Sequence, residues 1–337
     1  MLRVALLSFA HVHANGYARN VEAHPEATIQ CIWDDDERRG NTAAETFGAP
    51  YTADLDAVLG DPNVDAVLIN APTSQHTELL LAACKAGKHI FTEKALTIST
   101  ADADKVVAAV RESGVQCMVS LPSRTTPENL YIKQAVDEGR LGKITLMRAR
   151  IGHNAALDNW FHDGSAWFGD AAQAGGGALF DLGCHTVDLM RWLLGPPVSV
   201  IAKMQDFSGA YPIDDNSAVV VEFASGALGI LDTSWVHRAG PNPFELYGTE
   251  GFVGRGMGAT PALTVAGSGL PGRGYMLPAE LPKALPMPFQ QWVDACLHGT
   301  PATIDVEDGR NLTEMLEGMY AAARMRAEYR FGDPLPQ

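Results

Sequence analysis

Through the first 120 residues, short aliphatic or β-branched runs alternate with segments whose apolar positions recur at helical spacing. The runs occupy residues 4–7, 28–33, 66–70, 89–92 and 116–120. Between them, residues 76–86 turn Leu79, Leu80 and Ala83 inward and stop at Gly87; residues 101–112 do the same with Val106, Val107 and Val110 before Gly114. A strand–helix–strand rhythm with glycine stops predicts crossover helices over a parallel sheet.

After Pro122 the pattern lengthens into strands over residues 143–151, 198–204, 218–223 and 227–235, the last two joined by the hairpin signal Ser225-Gly226. A second, mainly antiparallel sheet follows from this. Six prolines and four glycines from Pro261 to Pro288 predict a surface excursion without regular elements.

Composition narrows the function. The 337 residues are 46% hydrophobic and 19% charged, enough for a large core and two domains. Twenty-five basic against 40 acidic residues leave a net charge of −15, which offers no footprint for a nucleic-acid backbone or an anionic membrane. The nearest pair of the five cysteines, Cys84 and Cys117, lies 33 positions apart, excluding a C-x-x-C clip and fitting reduced thiols. The N-terminal apolar run ends too soon for a signal peptide, and no window approaches a membrane span. A soluble, cytoplasmic protein is expected.

The strand at 4–7 runs into a turn and helix, and an acid closes the second strand, the layout of a dinucleotide-binding unit. Where G-x-G-x-x-G would sit stand Ser8, Phe9, Ala10, His11, Val12 and His13, so small non-glycine residues must manage the turn. Asp34, 24 positions beyond Ala10, is placed to reach a ribose hydroxyl pair and to repel a 2′-phosphate, favouring NAD. The run Asp34-Asp35-Asp36-Glu37 reads equally as a solvated acidic helix start, and Arg38 and Arg39 leave room for NADP. Of His11 and His13, one would cap the following helix while the other packs; two histidines two positions apart on a loop are rarely ligands without a third partner, so no metal is expected.

The most informative stretch is Gly175-Gly176-Gly177 leading into Asp181, His185 and Asp188, three polar residues on one helical face. Three glycines let backbone approach something closely; the opposite face is apolar, so the polar stripe should turn toward a cleft. A carboxylate one turn from an imidazole can orient it and raise its pKa. Taken alone, such a pair is commonly a surface hydrogen bond. Glu93-Lys94 follows the strand at 89–92, at the carboxyl end of the sheet where open α/β folds bind ligands. An exposed ion pair is the alternative there.

Four stretches together resemble the Gfo/Idh/MocA oxidoreductase family (glucose-fructose oxidoreductase and inositol dehydrogenase relatives), over essentially the whole chain. Ala71-Pro72-Thr73-Ser74-Gln75-His76 is similar to its T-P-x-x-x-H loop, and Ala86-Gly87-Lys88-His89-Ile90-Phe91-Thr92-Glu93-Lys94 to its A-G-K-H-V-x-x-E-K-P stretch, with Ala95 in place of proline. The run from Gly175 to Asp188 resembles G-G-G-x-x-x-D-x-G-x-H-x-x-D, and Leu246-Tyr247-Gly248-Thr249-Glu250-Gly251 the Y-G-T-E-G turn.

The resemblance implies an α/β protein. Residues 1–122 would form a Rossmann-like dinucleotide-binding domain with a parallel sheet. Residues 123–337 would form a substrate-binding and oligomerisation domain on a large, mainly antiparallel open sheet, with the last helices free to pack back on the first domain. It further implies an NAD(P)-dependent dehydrogenase acting on CH–OH groups of a sugar or polyol, as a homodimer or homotetramer. Lys94, Asp181 and His185 would be catalytic. Ala71, Pro72, Thr73, His76, Glu93 and Lys94 would join Ser8–Val12 and Asp34 around NAD, with NADP the alternative. Arg124, Trp160 and Trp167 would line the substrate pocket with Asp181 and His185; Phe161 and Phe168 lie beside them. Plain packing is the competing reading of the aromatic residues. An NAD-using redox-neutral glycosidase and a non-catalytic sugar or nucleotide sensor of the same fold are the alternative functions.

Overall fold

A computed structural model describes residues 1–256, 264–267, 274–275 and 281–336. The chain divides into two compact units: Met1–Leu121 with Phe161–Gly175 and Pro286–Thr313, and Pro122–Trp160 with Gly176–Leu285 and Glu314–Gln337.

The first unit opens with β1 (Leu2–Leu7), α1 (Ala14–Ala23), β2 (Ala27–Trp33), α2 (Glu37–Phe47), β3 (Tyr51–Thr52) and α3 (Leu55–Gly60). It continues with β4 (Ala66–Ile69), α4 (Thr73–Lys85), β5 (His89–Thr92), α5 (Thr100–Ser113) and β6 (Cys117–Val119). All strand pairs are parallel, in the order β3-β2-β1-β4-β5-β6. Strands covered on both faces read as unbroken apolar runs, and every residue of β4 is buried. The order reverses between β1 and β4, which puts the ligand crevice at the carboxyl ends of those strands.

The five expected strands and both expected helices are present. Proline fixes where α4 begins: Pro72 precedes Thr73, three residues before the expected start. Asp36 and Ser99 cap α2 and α5 by accepting the backbone N–H groups of Arg39 and Asp102. The two-residue β3 is too short to leave a pattern in the sequence.

In chain order α6 (Pro127–Asp137), β7 (Ile144–Gly152), α7 (Ala171–Ala174) and α8 (Cys184–Leu194) follow. Then come β8 (Pro197–Gln205), β9 (Asn216–Phe223), β10 (Leu228–Ser234), β11 (Phe244–Gly248) and β12 (Gly251–Arg255). The chain closes with β13 (Thr264–Gly267), β14 (Gly274–Tyr275), α9 (Pro288–His298), α10 (Val306–Met325) and β15 (Tyr329–Arg330). In the first unit, Phe289 and Trp292 of α9 pack on Phe91 of β5, with ring centroids 6.0 and 5.6 Å apart.

The second unit holds a sheet ordered β14-β13-β12-β11-β7-β10-β9-β8-β15, antiparallel throughout except for the β7–β10 pair. Along β9, Val219, Val221 and Phe223 are buried while Ala218, Val220 and Glu222 face out, so one side of the sheet is covered. The structure corrects the expected excursion. Thr264–Gly267, free of proline between Pro261 and Pro271, pairs with β12, and β14 pairs with it in turn. Residues 257–263, 268–273 and 276–280 of this region lie outside the described residues. Among the described residues, no helix is long and apolar enough to cross a membrane.

Candidate active site

In the first unit, β1 runs into the turn at Ser8, which adopts φ +70°, the left-handed conformation a glycine would take there. Serine holds it with local bonds: its N–H donates to Trp33 O (2.8 Å), and its Oγ accepts the Ala10 N–H (3.2 Å). The missing first glycine is thus replaced in conformation.

Asp34 is fully buried. It accepts the backbone N–H groups of Phe9 (2.8 Å) and Asp36 (2.9 Å), pinning the turn to the end of β2. Arg39 grips the same carboxylate with Nε (2.9 Å) and Nη2 (2.6 Å) and reaches Asp35 at 2.7 Å. The acidic run is therefore not merely a solvated helix start. Sequence reasoning noticed Arg39 only as a cation, because a contact five residues along depends on how the strand ends. Beside this pair lies a groove lined by Phe9, Asp36, Arg38, Arg39 and Thr42.

At the end of β4, the Asn70 carbonyl accepts the His11 N–H (3.0 Å). The Asn70 side chain is 1% exposed, and its amide has no hydrogen-bond partner among the described residues. Ala71, Pro72 and Thr73 follow, all buried. His76 is enclosed: Nε2 faces Ala71 O (3.1 Å), and Nδ1 faces Ala95 O (3.0 Å) and Leu96 O (3.2 Å). It ties the loop after β4 to the loop after β5, and burial lowers its pKa against the pull of those carbonyls.

Glu93 and Lys94 are buried at the end of β5, which removes the exposed ion pair as a reading. Glu93 Oε1 meets His13 Nδ1 at 3.0 Å, and Oε2 accepts the Lys94 N–H at 3.1 Å. Burial pushes the Glu93 carboxyl up, but His11, His13 and Lys94 outweigh it and hold the group well below the usual carboxylate range. The Lys94–Ala95 peptide bond is cis.

Trp167 and Phe168 also belong to this unit. Trp167 Nε1–H donates to Ala10 O (3.1 Å), its ring stacks on Phe168 at 3.9 Å, and Phe161 stacks on Phe168 at 5.0 Å. These rings are packed against the turn, the alternative weighed for them in the sequence. Val12, by contrast, is exposed.

In the second unit, a Cβ on Gly177 would lie 1.9 Å from Asp214 O, and one on Gly176 would lie 2.2 Å from Tyr320 Oη. What the glycines approach is the protein itself. Asp214 Oδ1 accepts the Gly177 N–H (2.8 Å) and the Tyr320 O–H (2.7 Å), Oδ2 accepts the Leu179 N–H (3.2 Å), and Asp214 O accepts the Ala178 N–H (2.8 Å). Burial pushes the Asp214 carboxyl up despite these bonds, and burial beside Asp214 pushes the Tyr320 phenol well above its ordinary value. Neither residue carries a sequence signal: the partnership spans 106 positions.

The chain then makes a π turn, Leu179–Gly183, before α8. The uniform helical spacing assumed for Asp181, His185 and Asp188 is interrupted by it. Asp181 and His185 are partly exposed. Asp188 is not on an open polar stripe: it is 1% exposed and holds Arg124 by two bonds, Nε–Oδ2 at 3.0 Å and Nη2–Oδ1 at 2.6 Å. Arg124 is equally buried, 5.6 Å over the Trp192 ring, so its fork serves Asp188. Trp160 is 48% exposed and stacks on His153 at 4.8 Å.

Comparisons with known proteins agree with both units. Residues 8–121 match the oxidoreductase family with an NAD-binding Rossmann fold, and residues 129–253 match the GFO/IDH/MocA C-terminal domain. The 1,5-anhydro-D-fructose reductase of Ensifer adhaerens is 29% identical, over 86% of this chain and 87% of its own. The NAD(+)-dependent scyllo-inositol 2-dehydrogenase of Bacillus subtilis (strain 168) is 30% identical, over 70% and 69%. Among solved structures, GenD2 from gentamicin A biosynthesis in complex with NAD has a TM-score of 0.81 and 29% identity, covering 98% of this chain and 97% of its own.

Proposed function

Since the chain belongs to the GFO/IDH/MocA family of NAD-binding oxidoreductases, we propose that it moves hydride between NAD and a carbinol carbon of a sugar or polyol. The observation that carries this reading is the turn after β1, where Ser8 keeps the left-handed conformation and Asp34 pins the Phe9 N–H without the usual glycines. The unsatisfied Asn70 amide beside that turn fits a bound group that would supply its partners. Ser8–Val12, Asp34, Ala71–Thr73 and Glu93 would hold the dinucleotide, and His76 would position two of its loops. NADP stays the alternative, because Arg39 already holds the buried Asp34 carboxylate and lines the neighbouring groove together with Arg38.

The nicotinamide ring, when bound, supplies the hydride chemistry. His185 acts as general base toward the reacting hydroxyl, Asp181 orients that base or a neighbouring hydroxyl, and Lys94 stabilises the developing alkoxide. Trp160 offers an exposed aromatic face suited to the apolar side of a sugar ring. Relatives named for an anhydrofructose and an inositol support the substrate class. A cytoplasmic homodimer or homotetramer completes the reading.

Fluorescence titration with NADH and NADPH is the test, followed by a polyol screen. Micromolar NADH binding is expected, with NADPH titrated alongside to fix the cofactor; absence of binding by either would remove the dehydrogenase reading. His185→Ala should lower turnover ~100-fold or more while the melting temperature holds.

A further inference from the structure

Three metal-type donors converge in the first unit: His11 and His13 from the turn after β1, and Glu93 from the loop after β5. Their ligand atoms all lie within 4.8 Å of one another. His13 Nδ1 is 3.0 Å from Glu93 Oε1, and His11 Nε2 is 3.8 Å from Glu93 Oε2. The third partner absent from the sequence neighbourhood of the two histidines is thus brought in by the fold.

The donor set is specific. Two imidazoles and one carboxylate suit zinc-class dications, whose tetrahedral ligands sit ~3.3 Å apart at the usual bond lengths, whereas Mg2+ and Ca2+ prefer all-oxygen shells. The observed spacings bracket that value, so side-chain rotation of about an ångström closes the site. The surroundings fix the ligands as well. The Lys94 N–H holds Glu93 Oε2 at 3.1 Å, and the rings of Trp167 and Phe168 wall His11 at 5.9 and 5.2 Å. His11 Nδ1 accepts the His13 N–H at 3.2 Å, a long bond that yields when Nε2 ligates and Nδ1 takes the proton. His13 is 53% exposed, leaving one side open to solvent. Nothing in hydride transfer by Lys94, Asp181 and His185 calls for imidazoles at both positions.

We propose that His11, His13 and Glu93 form a binding site for a zinc-class divalent transition metal, with one coordination position open to water or a ligand oxygen. Two neutral imidazoles and a carboxylate leave the bound dication a net charge of plus one.

Full-length protein stripped with chelator and titrated with Zn2+ alone tests this without cofactor or substrate. One equivalent of Zn2+ is expected, and Co2+ in its place should give a visible d–d band. His13→Ala, a half-exposed change that leaves the fold intact by circular dichroism, and Glu93→Gln should each weaken Zn2+ by ~100-fold or more. Excess Mg2+ should not displace it. No Zn2+ uptake by the wild type, or equal uptake by His13→Ala, which keeps every cysteine, overturns the site. NADH affinity is read separately and decides the dehydrogenase proposal by itself.

Discussion

Two glycine-dependent turns behave in opposite ways. After β1 the glycines are missing, yet Ser8 holds φ +70° and its neighbours complete the turn. Before α8 the glycines are present, and the close approach they permit is to Asp214 and Tyr320 of the same unit. A glycine pattern therefore reports a backbone requirement. Whether a ligand or the protein itself imposes that requirement is decided elsewhere in the chain.

The largest expected effect is at Gly177, where the obstacle is backbone. Gly177→Ala should cost about 4 kcal/mol or more, read by urea unfolding, because the Asp214 carbonyl cannot step aside cheaply. An intact, stable Gly177→Ala protein would dissolve the contrast between the two turns. Tyr320→Phe comes next: it removes one donor from Asp214 and should cost ~1–3 kcal/mol.

The same contact has a pH signature. The folded state raises the Asp214 carboxyl above its ordinary value of 3.8, so its contribution to stability is complete below that value and is lost as pH rises through the raised one. Urea midpoints followed from acid to neutrality should carry this falling component in the wild type and lose it in Asp214→Asn. Smallest of all, Ser8→Gly should shift stability by no more than about 1 kcal/mol. Relief of the left-handed strain offsets the lost Oγ bond and the greater freedom of the unfolded chain. A larger loss would show that the serine hydroxyl, and not only the backbone angle, holds the turn.

Much of the fold was legible in the chain. The parallel strands appeared because burial on both faces leaves unbroken runs such as Ala66–Ile69, and the second sheet because β9 alternates at period two. The strand Thr264–Gly267 was hidden by its proline-rich surroundings. For the candidate site, sequence reasoning singled out Asp34, Glu93, Lys94, Asp181 and His185. It could not find what holds them. Arg39 on Asp34, His13 on Glu93 and Tyr320 on Asp214 are paired by the folding of separate segments. Arg124 and Asp188 lie 64 positions apart, and polar character alone does not distinguish a ligand-facing pair from a buried one.

The π turn at Leu179–Gly183 sets the angle at which the chain enters α8. A π turn is an α-helix with one residue inserted. Removing one residue between Asp181 and His185 would restore regular winding and swing Asp181 by ~100° about the helix axis, since each residue advances the helix by that angle. The angular relation between these two side chains is thus set by a change in chain length, and substitutions alone would not reproduce it.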